Sequence, residues 1–333
     1  MINLIENNMN FLIQVFLIFS FNYLTINFFL TKLKINKLID FPNEDRKIHK
    51  LPVSKIGGLV LFLNLPLFYF FFEFSNNDLP LLIFLSFIFL IGFLDDLFNL
   101  NPYLRLLLIT LFLFTFLLNE EGFLLNNVYF ETFDRFKILG WMNTVFTIFC
   151  ILAIINAFNL FDGLNGLSLS YFLMIFIYLL FKFNSVQVIP FILVCIILIY
   201  FNLKNKIFLG DSGVYFLSTY LGLKIIEIHN NTELVFSSEN IFILLMIPGI
   251  DMFRVFFERI INKKMFLTAD KKHLHHYLFN KFSSIKALLL FIVLFLVPIV
   301  IYEINLLPSY MIILFLIFVY SFILIYLKRD EQK

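Results

Sequence analysis

The chain reads Asn156-Ala-Phe-Asn159-Leu-Phe-Asp162-Gly163-Leu-Asn165-Gly166-Leu167 between two long apolar stretches. Polar residues at such a place are rare and costly in a membrane, so this stretch favours a functional site over a plain turn. On a continuing helix, Asn156, Asn159 and Asp162 share one face because they are spaced i, i+3 and i+6, and the glycines end the helix beyond them. Amide and carboxylate oxygens together are typical of a site for a hard metal ion or a sugar hydroxyl.

The overall composition excludes a soluble globular protein. Hydrophobic residues make up 61% of the 333 residues, charged residues make up 14%, and the mean hydropathy is +0.93. Soluble domains are only about 45–50% apolar. We therefore predict a multi-pass integral membrane protein. Cys150 and Cys195 lie in apolar stretches without a metal or disulfide spacing, and we interpret them as small hydrophobic residues.

Hydropathy predicts about eleven membrane spans, each near the length of about 20 residues that a bilayer requires. They must be helical, because lipid offers no partner to unpaired backbone groups. The fold class is therefore an all-α integral membrane protein, with one polytopic domain over residues 1–333. The predicted spans are residues 9–30, 57–74, 79–94, 103–118, 143–159, 166–183, 186–203, 212–228, 240–260, 285–304 and 308–327.

Basic residues decide the orientation, because cytoplasmic loops carry an excess of Lys and Arg. With the N-terminus outside, all 25 basic residues except Arg135, Lys137, Lys182 and Lys224 fall in cytoplasmic stretches. We therefore predict an outside N-terminus and a cytoplasmic C-terminus. The polar clusters then face the cytoplasm in five loops, at about residues 31–56, 95–102, 156–165, 202–212 and 251–285.

The first loop is basic and ends in a glycine pair. It contains Arg46, His49 and Lys55, followed by Gly57-Gly58 at the start of an apolar segment. Glycines there let backbone N–H groups approach an anion, and a helix N-terminus adds positive potential. A basic loop that touches lipid headgroups is the alternative.

Two further clusters contain carboxylates at span boundaries. Asp95 and Asp96 are adjacent, with Arg105 ten residues later, and a divalent cation or a cationic substrate would relieve their repulsion. A solvated pair at the interface is the alternative. Asp211 follows Gly210 at the start of a predicted helix, where it is either an ordinary N-cap or a cation ligand beside a helix end that attracts phosphate.

Three of the five histidines lie together in the last loop, as His273-Leu-His275-His276. The spacings of zinc sites and any Cys ligands are missing, so imidazole donors for a phosphate are favoured over zinc. Pro248-Gly249 in the preceding span predicts a bend or an interruption of that helix. This bend would tip Asp251 and Arg254 toward the same site.

Together these motifs resemble the polyprenyl-phosphate N-acetylhexosamine-1-phosphate transferases, over about residues 40 to 280. The resemblance implies transfer of HexNAc-1-phosphate from a UDP-N-acetylhexosamine to undecaprenyl phosphate, with release of UMP, on the cytoplasmic face of the cell inner (cytoplasmic) membrane. Such a reaction is the first membrane step of a cell-surface polysaccharide. Four motifs carry the resemblance: Asp95-Asp96, Asn156-x-x-Asn159-x-x-Asp162-Gly163, Gly210-Asp211-Ser212-Gly213 and His273-x-His275-His276.

The resemblance also implies roles for individual residues. Asp211 and Asn159 would bind Mg²⁺ or Mn²⁺, and Asp95, Asp96, Asp162 and Asp211 would be the catalytic carboxylates. Asp95 and Asp96 would act as a base, or would position the metal or the lipid phosphate. The expected substrate contacts are Arg46, His49, Lys55, Gly57, Arg105, Asn156, Asn165, His273, His275 and His276.

Departures from the pattern favour one branch of the family. The first loop lacks the Thr-Met-Gly-Gly style of the phospho-MurNAc-pentapeptide translocase, and the histidine motif is His-Leu-His-His instead of three consecutive histidines. We therefore predict an enzyme of O-antigen or teichoic-acid initiation, with the translocase type as an alternative. Asn165 stands where many relatives carry Asp, which puts a second carboxylate role there in doubt.

A secondary transporter of an anionic substrate is the alternative from another class. It predicts polar residues near mid-membrane and an inverted repeat, and the sequence shows neither. A CDP-alcohol phosphotransferase would require several further Asp residues after Asp162-Gly163, and a scaffold protein leaves the one-sided polar clusters unexplained. The predicted partners are the lipid acceptor undecaprenyl phosphate, the UDP-sugar and the membrane. Nucleic acid is not expected as a partner, and a homodimer is left open as an alternative to a monomer.

Overall fold

A computed structural model describes residues 2–32, 36–42, 51–72, 74–131, 136–138, 140–232, 236–263 and 272–331. Over these residues the chain is almost entirely helical. The α-helices, in chain order, are α1 Ile2–Thr31, α2 Gly57–Leu63, α3 Leu65–Phe71, α4 Leu79–Phe98, α5 Pro102–Asn119, α6 Met142–Phe161, α7 Leu167–Phe183, α8 Ile189–Leu203, α9 Gly210–Thr232, α10 Ser238–Ile261, α11 Leu274–Lys281, α12 Ser284–Glu303 and α13 Ser309–Glu331.

Short elements connect some of these helices. Two antiparallel strand pairs form, β1 Ile39–Asp40 with β2 Val53–Ser54 and β3 Asn127–Val128 with β4 Phe136–Lys137. The 3₁₀ helices are Asn36–Leu38, Asn76–Asp78, Glu121–Phe123 and Val186–Val188.

Eight helical stretches within the described ranges, some of which include an adjoining 3₁₀ turn, are long and apolar enough to cross a membrane: Met9–Thr31, Asn76–Phe98, Pro102–Asn119, Met142–Phe161, Val186–Leu203, Ser238–Ile261, Ser284–Glu303 and Ser309–Arg329. Gly57–Phe71 and Leu167–Phe183 are shorter apolar helices. The predicted all-α membrane fold is confirmed. The count of eleven spans and the orientation of the ends stay predictions.

Two predicted spans differ from the helices that contain them. The segment predicted over 212–228 lies within α9, which is longer and carries an ion pair of 2.9 Å between Lys224 and Glu227. The segment predicted over 79–94 continues as α4 to Phe98. The carboxylate pair at 95 and 96 therefore belongs to a helix and not to the loop predicted there.

The first compact unit comprises Met1–Asn101 and Phe172–Leu217. Within it α1 packs against α8, and α2 packs against α4. Aromatic rings fill its core: the Phe191 ring lies 4.9 Å from Phe68 and 5.7 Å from Phe176, centroid to centroid. The burial of such rings in a close-packed interior fixes the positions of the helices that carry them.

The predicted span 57–74 of this unit contains two short helices, α2 and α3, which meet at Asn64. Asn64 is fully buried and forms a reciprocal amide pair with Asn22 of α1, with N···O distances of 2.8 and 3.0 Å. Each amide also donates to the carbonyl four residues earlier in its own helix, of Ile18 or Val60. A buried amide must be hydrogen-bonded, so this pair fixes α1 against the α2–α3 junction.

The second compact unit comprises Pro102–Tyr171 and Ser218–Lys333. Within it α6 packs against α5 and α10, and α10 also packs against α12 and α13. Tyr171 is buried at its centre, with ring centroids 5.3 Å from Phe161 and 4.7 Å from Phe295. The prediction of a single domain over residues 1–333 stays a prediction.

Pro248 does not interrupt α10, which runs continuously from Ser238 to Ile261. A proline has no N–H, so it cannot donate to the carbonyl four residues earlier, which is that of Leu244. The Tyr171 hydroxyl donates to this carbonyl instead, at 3.0 Å. The predicted interruption at Pro248 is therefore wrong, because a side chain from outside the helix replaces the missing backbone donor. The other possibility, a bend, stays a prediction.

Candidate active site

Asp95 and Asp96 lie in the last turn of α4, and each is only 4% exposed. The alternative of a solvated interface pair is therefore wrong. Buried carboxylates require partners, and both residues have them.

Asp96 binds the start of α9. Its Oδ1 accepts a hydrogen bond from the Asp211 N–H at 3.0 Å. Its Oδ2 accepts one from the Ser212 N–H at 3.0 Å and one from the Ser212 hydroxyl at 2.7 Å. A carboxylate at this place satisfies helical N–H groups that lack a partner within the helix and complements the positive N-terminus.

Asp95 secures the end of its own helix. Its Oδ1 accepts from the Leu100 N–H at 2.8 Å, and its Oδ2 accepts from the Tyr215 hydroxyl at 2.9 Å. Asn99, which precedes Leu100, adopts a left-handed conformation with φ of 48° and ends the helix. The two adjacent carboxylates thus avoid repulsion by facing different sets of donors.

Asp211 occupies the first turn of α9, because the helix already begins at Gly210. The alternative that Asp211 is an ordinary N-cap is therefore not supported. Gly210 has a φ of +75°, which favours glycine, and a Cβ there would lie 2.7 Å from Asp96 Oδ2. Asp211 itself is half-buried.

The glycine pair at the start of α2 serves close packing. The N–H groups of Gly57 and Gly58 donate to the carbonyls of Phe208 and Leu209, at 3.0 and 2.9 Å. A Cβ on Gly58 would lie 2.3 Å from the Ser212 hydroxyl oxygen. The prediction that these amides are directed at an anion is not supported, because both are engaged in backbone bonds.

Of the three cationic residues predicted in the first loop, Lys55 is described. Its ammonium lies 3.8 Å from Asp96 Oδ1, and about 25% of its side chain is exposed. Arg46 and His49 lie outside the described residues, so their predicted substrate contacts stay predictions. Arg105 lies on α5 and is half-buried.

The second unit contains the polar stretch that follows α6. This helix ends at Phe161, as the glycines predicted, and Gly166 has a φ of +78°. Asn156, Asn159 and Asp162 are half-buried. The Asn156 amide donates to the Leu152 carbonyl at 2.7 Å, within its own helix.

The Asp162 carboxylate accepts a short hydrogen bond from the Ser168 hydroxyl in the first turn of α7. Ser168 is buried and was not predicted. A serine at a helix start is common, and only its contact with Asp162 distinguishes it. Asn165 lies in the turn between these helices and is half-buried.

The histidine motif begins at His273, which precedes α11 and is bound by α10. Asp251 Oδ2 lies 2.8 Å from His273 Nδ1, and Asp251 Oδ1 accepts from the Leu274 N–H at 3.1 Å. The Tyr320 hydroxyl of α13 donates to the same oxygen at 2.6 Å. Asp251 therefore orients His273 through a carboxylate–imidazole bond. Tyr320 supports Asp251, although no sequence pattern indicated a role for it.

Arg254 bonds to several groups within the protein. Its Nη2 donates to Asp251 Oδ1 at 2.8 Å, its Nε to the Tyr320 hydroxyl at 2.8 Å, and its Nη1 to Glu258 Oε2 at 3.2 Å. Nη2 also donates to the Lys272 carbonyl. Through these bonds the guanidinium organises the histidine motif.

His275 is 2% exposed, and neither ring nitrogen has a hydrogen-bond partner among the described residues. The ring rests on the polar stretch, since a Cβ on Gly163 would lie 1.9 Å from its Nε2. Burial, and then the neighbouring His276, lower the pKa of His275 well below its usual value. His275 is therefore neutral near pH 7. The ring centroid of half-buried His276 lies 4.2 Å from that of His275.

The candidate residues thus form two clusters, each within one unit. The first contains the α4 carboxylates, Lys55 and the start of α9, and the second joins the polar stretch to the histidine motif through Gly163 and His275. No group of three or more His, Cys, Asp or Glu side chains in the described ranges could hold a metal ion. The candidate residues offer only a few carboxylate and amide oxygens. Such ligands fit Mg²⁺, which proteins usually hold through one or two carboxylates while substrate phosphates complete its coordination.

Comparisons with known proteins agree with this chemistry. The model of glycosyl transferase family 4 matches residues 79–229, which include the α4 carboxylates, the polar stretch and the start of α9. The chain is similar to the undecaprenyl-phosphate alpha-N-acetylglucosaminyl 1-phosphate transferase of Thermotoga maritima. The two are 27% identical over 282 residues, which cover 80% of this chain and 83% of the relative. The family model and this relative together support the polyprenyl-phosphate N-acetylhexosamine-1-phosphate transferase family for this chain.

Proposed function

We propose that this enzyme transfers HexNAc-1-phosphate from a UDP-N-acetylhexosamine to undecaprenyl phosphate and releases UMP. The observation that carries the proposal is the position of Asp95, Asp96, Asn159, Asp162 and Asp211 within the matched family region. The acceptor is supported by the name of the Thermotoga maritima relative. The product would begin a cell-surface polysaccharide such as O-antigen or teichoic acid, at the cytoplasmic face of the inner membrane.

The reaction exchanges one phosphate bond for another. An oxygen of the lipid phosphate attacks the phosphorus that carries the sugar, and a new P–O–P bond forms. The bond from that phosphorus to the bridging oxygen breaks, and the bridging oxygen leaves with UMP. A phosphate monoester has a second pKa of about 6, so the attacking group is already largely ionised at pH 7 and requires no protein base.

The main task of the protein is therefore to hold two anions in line. As the family resemblance implies, Asp211 and Asn159 would bind Mg²⁺ or Mn²⁺ through a carboxylate and an amide oxygen, which are ligands that hard cations prefer. The metal ion would offset charge on the diphosphate and on the leaving UMP. His273, oriented by Asp251, and half-buried His276 supply imidazole donors for phosphate oxygens.

Lys55 is the described cation of the first cluster with an exposed fraction large enough to approach a phosphate. Its ammonium is 3.8 Å from Asp96, too far for a strong hydrogen bond, so it keeps donors for another partner. Lys55 is thus the residue of this cluster that we assign to an anionic substrate group.

The test is UMP release by purified protein with undecaprenyl phosphate, Mg²⁺ and a panel of UDP-sugars, including UDP-GlcNAc, UDP-GalNAc and UDP-MurNAc-pentapeptide. We expect release with at least one UDP-HexNAc, dependent on the acceptor and abolished by a chelator. Asp211→Asn should lower the rate by at least about 100-fold, since even outer partners of a metal ligand contribute about 10–100-fold.

Glu121→Gln is the matched control, because it also removes one carboxylate but from an exposed position. Its rate should equal that of the unchanged protein. Release only from UDP-MurNAc-pentapeptide would favour the translocase type. Absence of UMP with every donor, from protein shown to be folded, would refute the proposed reaction.

A further inference from the structure

We propose that Asp96 is a positioning residue that acts through Asp211, and is neither a base nor a metal ligand. The inference rests on the proposed function, in which Asp211 binds the metal ion. The Asp96 carboxylate, at the end of α4, binds the start of α9 and thereby fixes the backbone that carries Asp211.

Both oxygens of Asp96 are used within the protein. Oδ1 accepts from the Asp211 N–H, and Oδ2 accepts from the N–H and the hydroxyl of Ser212, at 3.0, 3.0 and 2.7 Å. The residue is 4% exposed. A general base must direct an oxygen at the proton that it removes, and a metal ligand must direct one at the ion. Asp96 directs its oxygens at α9.

The backbone around α9 is shaped to receive this carboxylate. Gly210 has a φ of +75°, and a Cβ there would lie 2.7 Å from Asp96 Oδ2. Gly92, one turn before Asp96 in α4, lets Ser212 approach, because a Cβ on it would lie 2.5 Å from the Ser212 Cα. The glycines thus allow α4 and the first turn of α9 to lie in direct contact, and Asp96 supplies the polar bonds between them.

The charge of Asp96 has a partner in this arrangement. A helix N-terminus carries positive potential, and three donors of α9 face the carboxylate. These donors, together with the Lys55 ammonium 3.8 Å from Oδ1, offset part of its negative charge inside the protein. Asp211 is the second residue of α9 and is half-buried.

Asp96→Asn tests the inference, because it keeps the size of the side chain but replaces one acceptor oxygen by a donor. Two readouts do not depend on turnover: Mn²⁺ affinity of the purified protein, measured by electron paramagnetic resonance, and hydrogen exchange of the segment that contains Asp211 and Ser212. We expect Mn²⁺ affinity to fall about 10–100-fold, as for other residues that orient a metal ligand, and exchange to accelerate.

The kinetics should agree with these readouts. The Mg²⁺ concentration for half-maximal rate should rise by a similar factor, high Mg²⁺ should restore part of kcat, and the shape of the pH profile should not change. Ser212→Ala, which removes only the hydroxyl donor, should give a smaller change in the same direction. If Asp96→Asn does not fold, Ser212→Ala decides.

Asp78→Asn is the matched control at the other end of α4. Its carboxylate also accepts from a backbone N–H, that of Ser75 at 2.8 Å, but it lies away from the cluster. Mn²⁺ affinity should be unchanged in this variant. An Asp96→Asn protein with unchanged Mn²⁺ affinity and exchange, and with one limb of the pH profile lost, would overturn the inference in favour of a base. If the unchanged enzyme releases no UMP, the proposed function fails, while hydrogen exchange still tests the role of Asp96.

Discussion

His275 is a buried imidazole whose ring nitrogens lack hydrogen-bond partners within the described residues. Leaving a buried polar group without a partner costs about 1–3 kcal/mol. The sequence predicted a histidine motif that contacts phosphate, and it gave no sign that one member would be buried. The reason is the absent side chain of Gly163, 112 positions earlier in the chain, which opens the space that the ring fills.

The lowered pKa of His275 predicts a loss of stability in acid. Below about pH 6.5, the ordinary histidine pKa, the unfolded chain binds a proton at His275 that the folded protein does not bind. The stabilisation is therefore complete above this pH and is lost as the pH falls. Thermal unfolding in detergent at pH 7.5 and 5.5 should show that His275→Leu removes about 1 kcal/mol of the acid-induced loss.

For each protein, the measured quantity is the change in the free energy of unfolding between pH 7.5 and pH 5.5. Any change in stability that the leucine causes equally at both pH values therefore cancels. Equal pH dependence of the unchanged and variant proteins would show that His275 titrates normally in the folded state.

In α10, a side chain from outside the helix compensates for an internal proline. Pro248 removes the backbone donor that would serve the Leu244 carbonyl, and the Tyr171 hydroxyl replaces it at 3.0 Å. The helix therefore passes the proline without interruption and brings Asp251 to His273.

Tyr171→Phe should destabilise the protein, because the Leu244 carbonyl would be buried without a donor. We expect a loss of about 1–2 kcal/mol in thermal unfolding, since the ring and its packing are retained. Tyr310→Phe is the matched control, because Tyr310 lies at the start of α13 and is 46% exposed. Equal stability of the two variants would contradict the role assigned to the hydroxyl.

Hydropathy predicted most helices closely, because a long apolar run in a membrane has only the helix available to it. The motif residues around Asp162 and Asp211 were also predicted, because carboxylates at the ends of apolar runs are unusual. Tyr171 and Tyr320 could not be predicted in this way. Among 50 Phe and 14 Tyr residues, a hydroxyl that bonds across the fold has no local signature.

At the scale of the whole molecule, the distribution of basic residues predicts an outside N-terminus and a cytoplasmic C-terminus. The structure supplies exposed positions at which this can be tested. Glu121 precedes the outer strand pair in the predicted orientation, whereas Lys204 and Ser283 belong to predicted cytoplasmic loops, and all three are exposed.

In a variant without Cys150 and Cys195, we expect Glu121→Cys to react with a membrane-impermeant maleimide in intact cells. Lys204→Cys and Ser283→Cys should react only after the membrane is permeabilised. Labelling of Lys204→Cys and Ser283→Cys from opposite sides would contradict the predicted single catalytic face.

The amide pair of Asn22 and Asn64 has a consequence for the bilayer around the protein. A lone hydrophobic helix can adjust to a thinner or thicker membrane by sliding or tilting alone. Helix α1 cannot slide past α2 and α3 without separating two fully buried amides. Changes in lipid chain length should therefore be absorbed by the lipids around α1, and not by its depth.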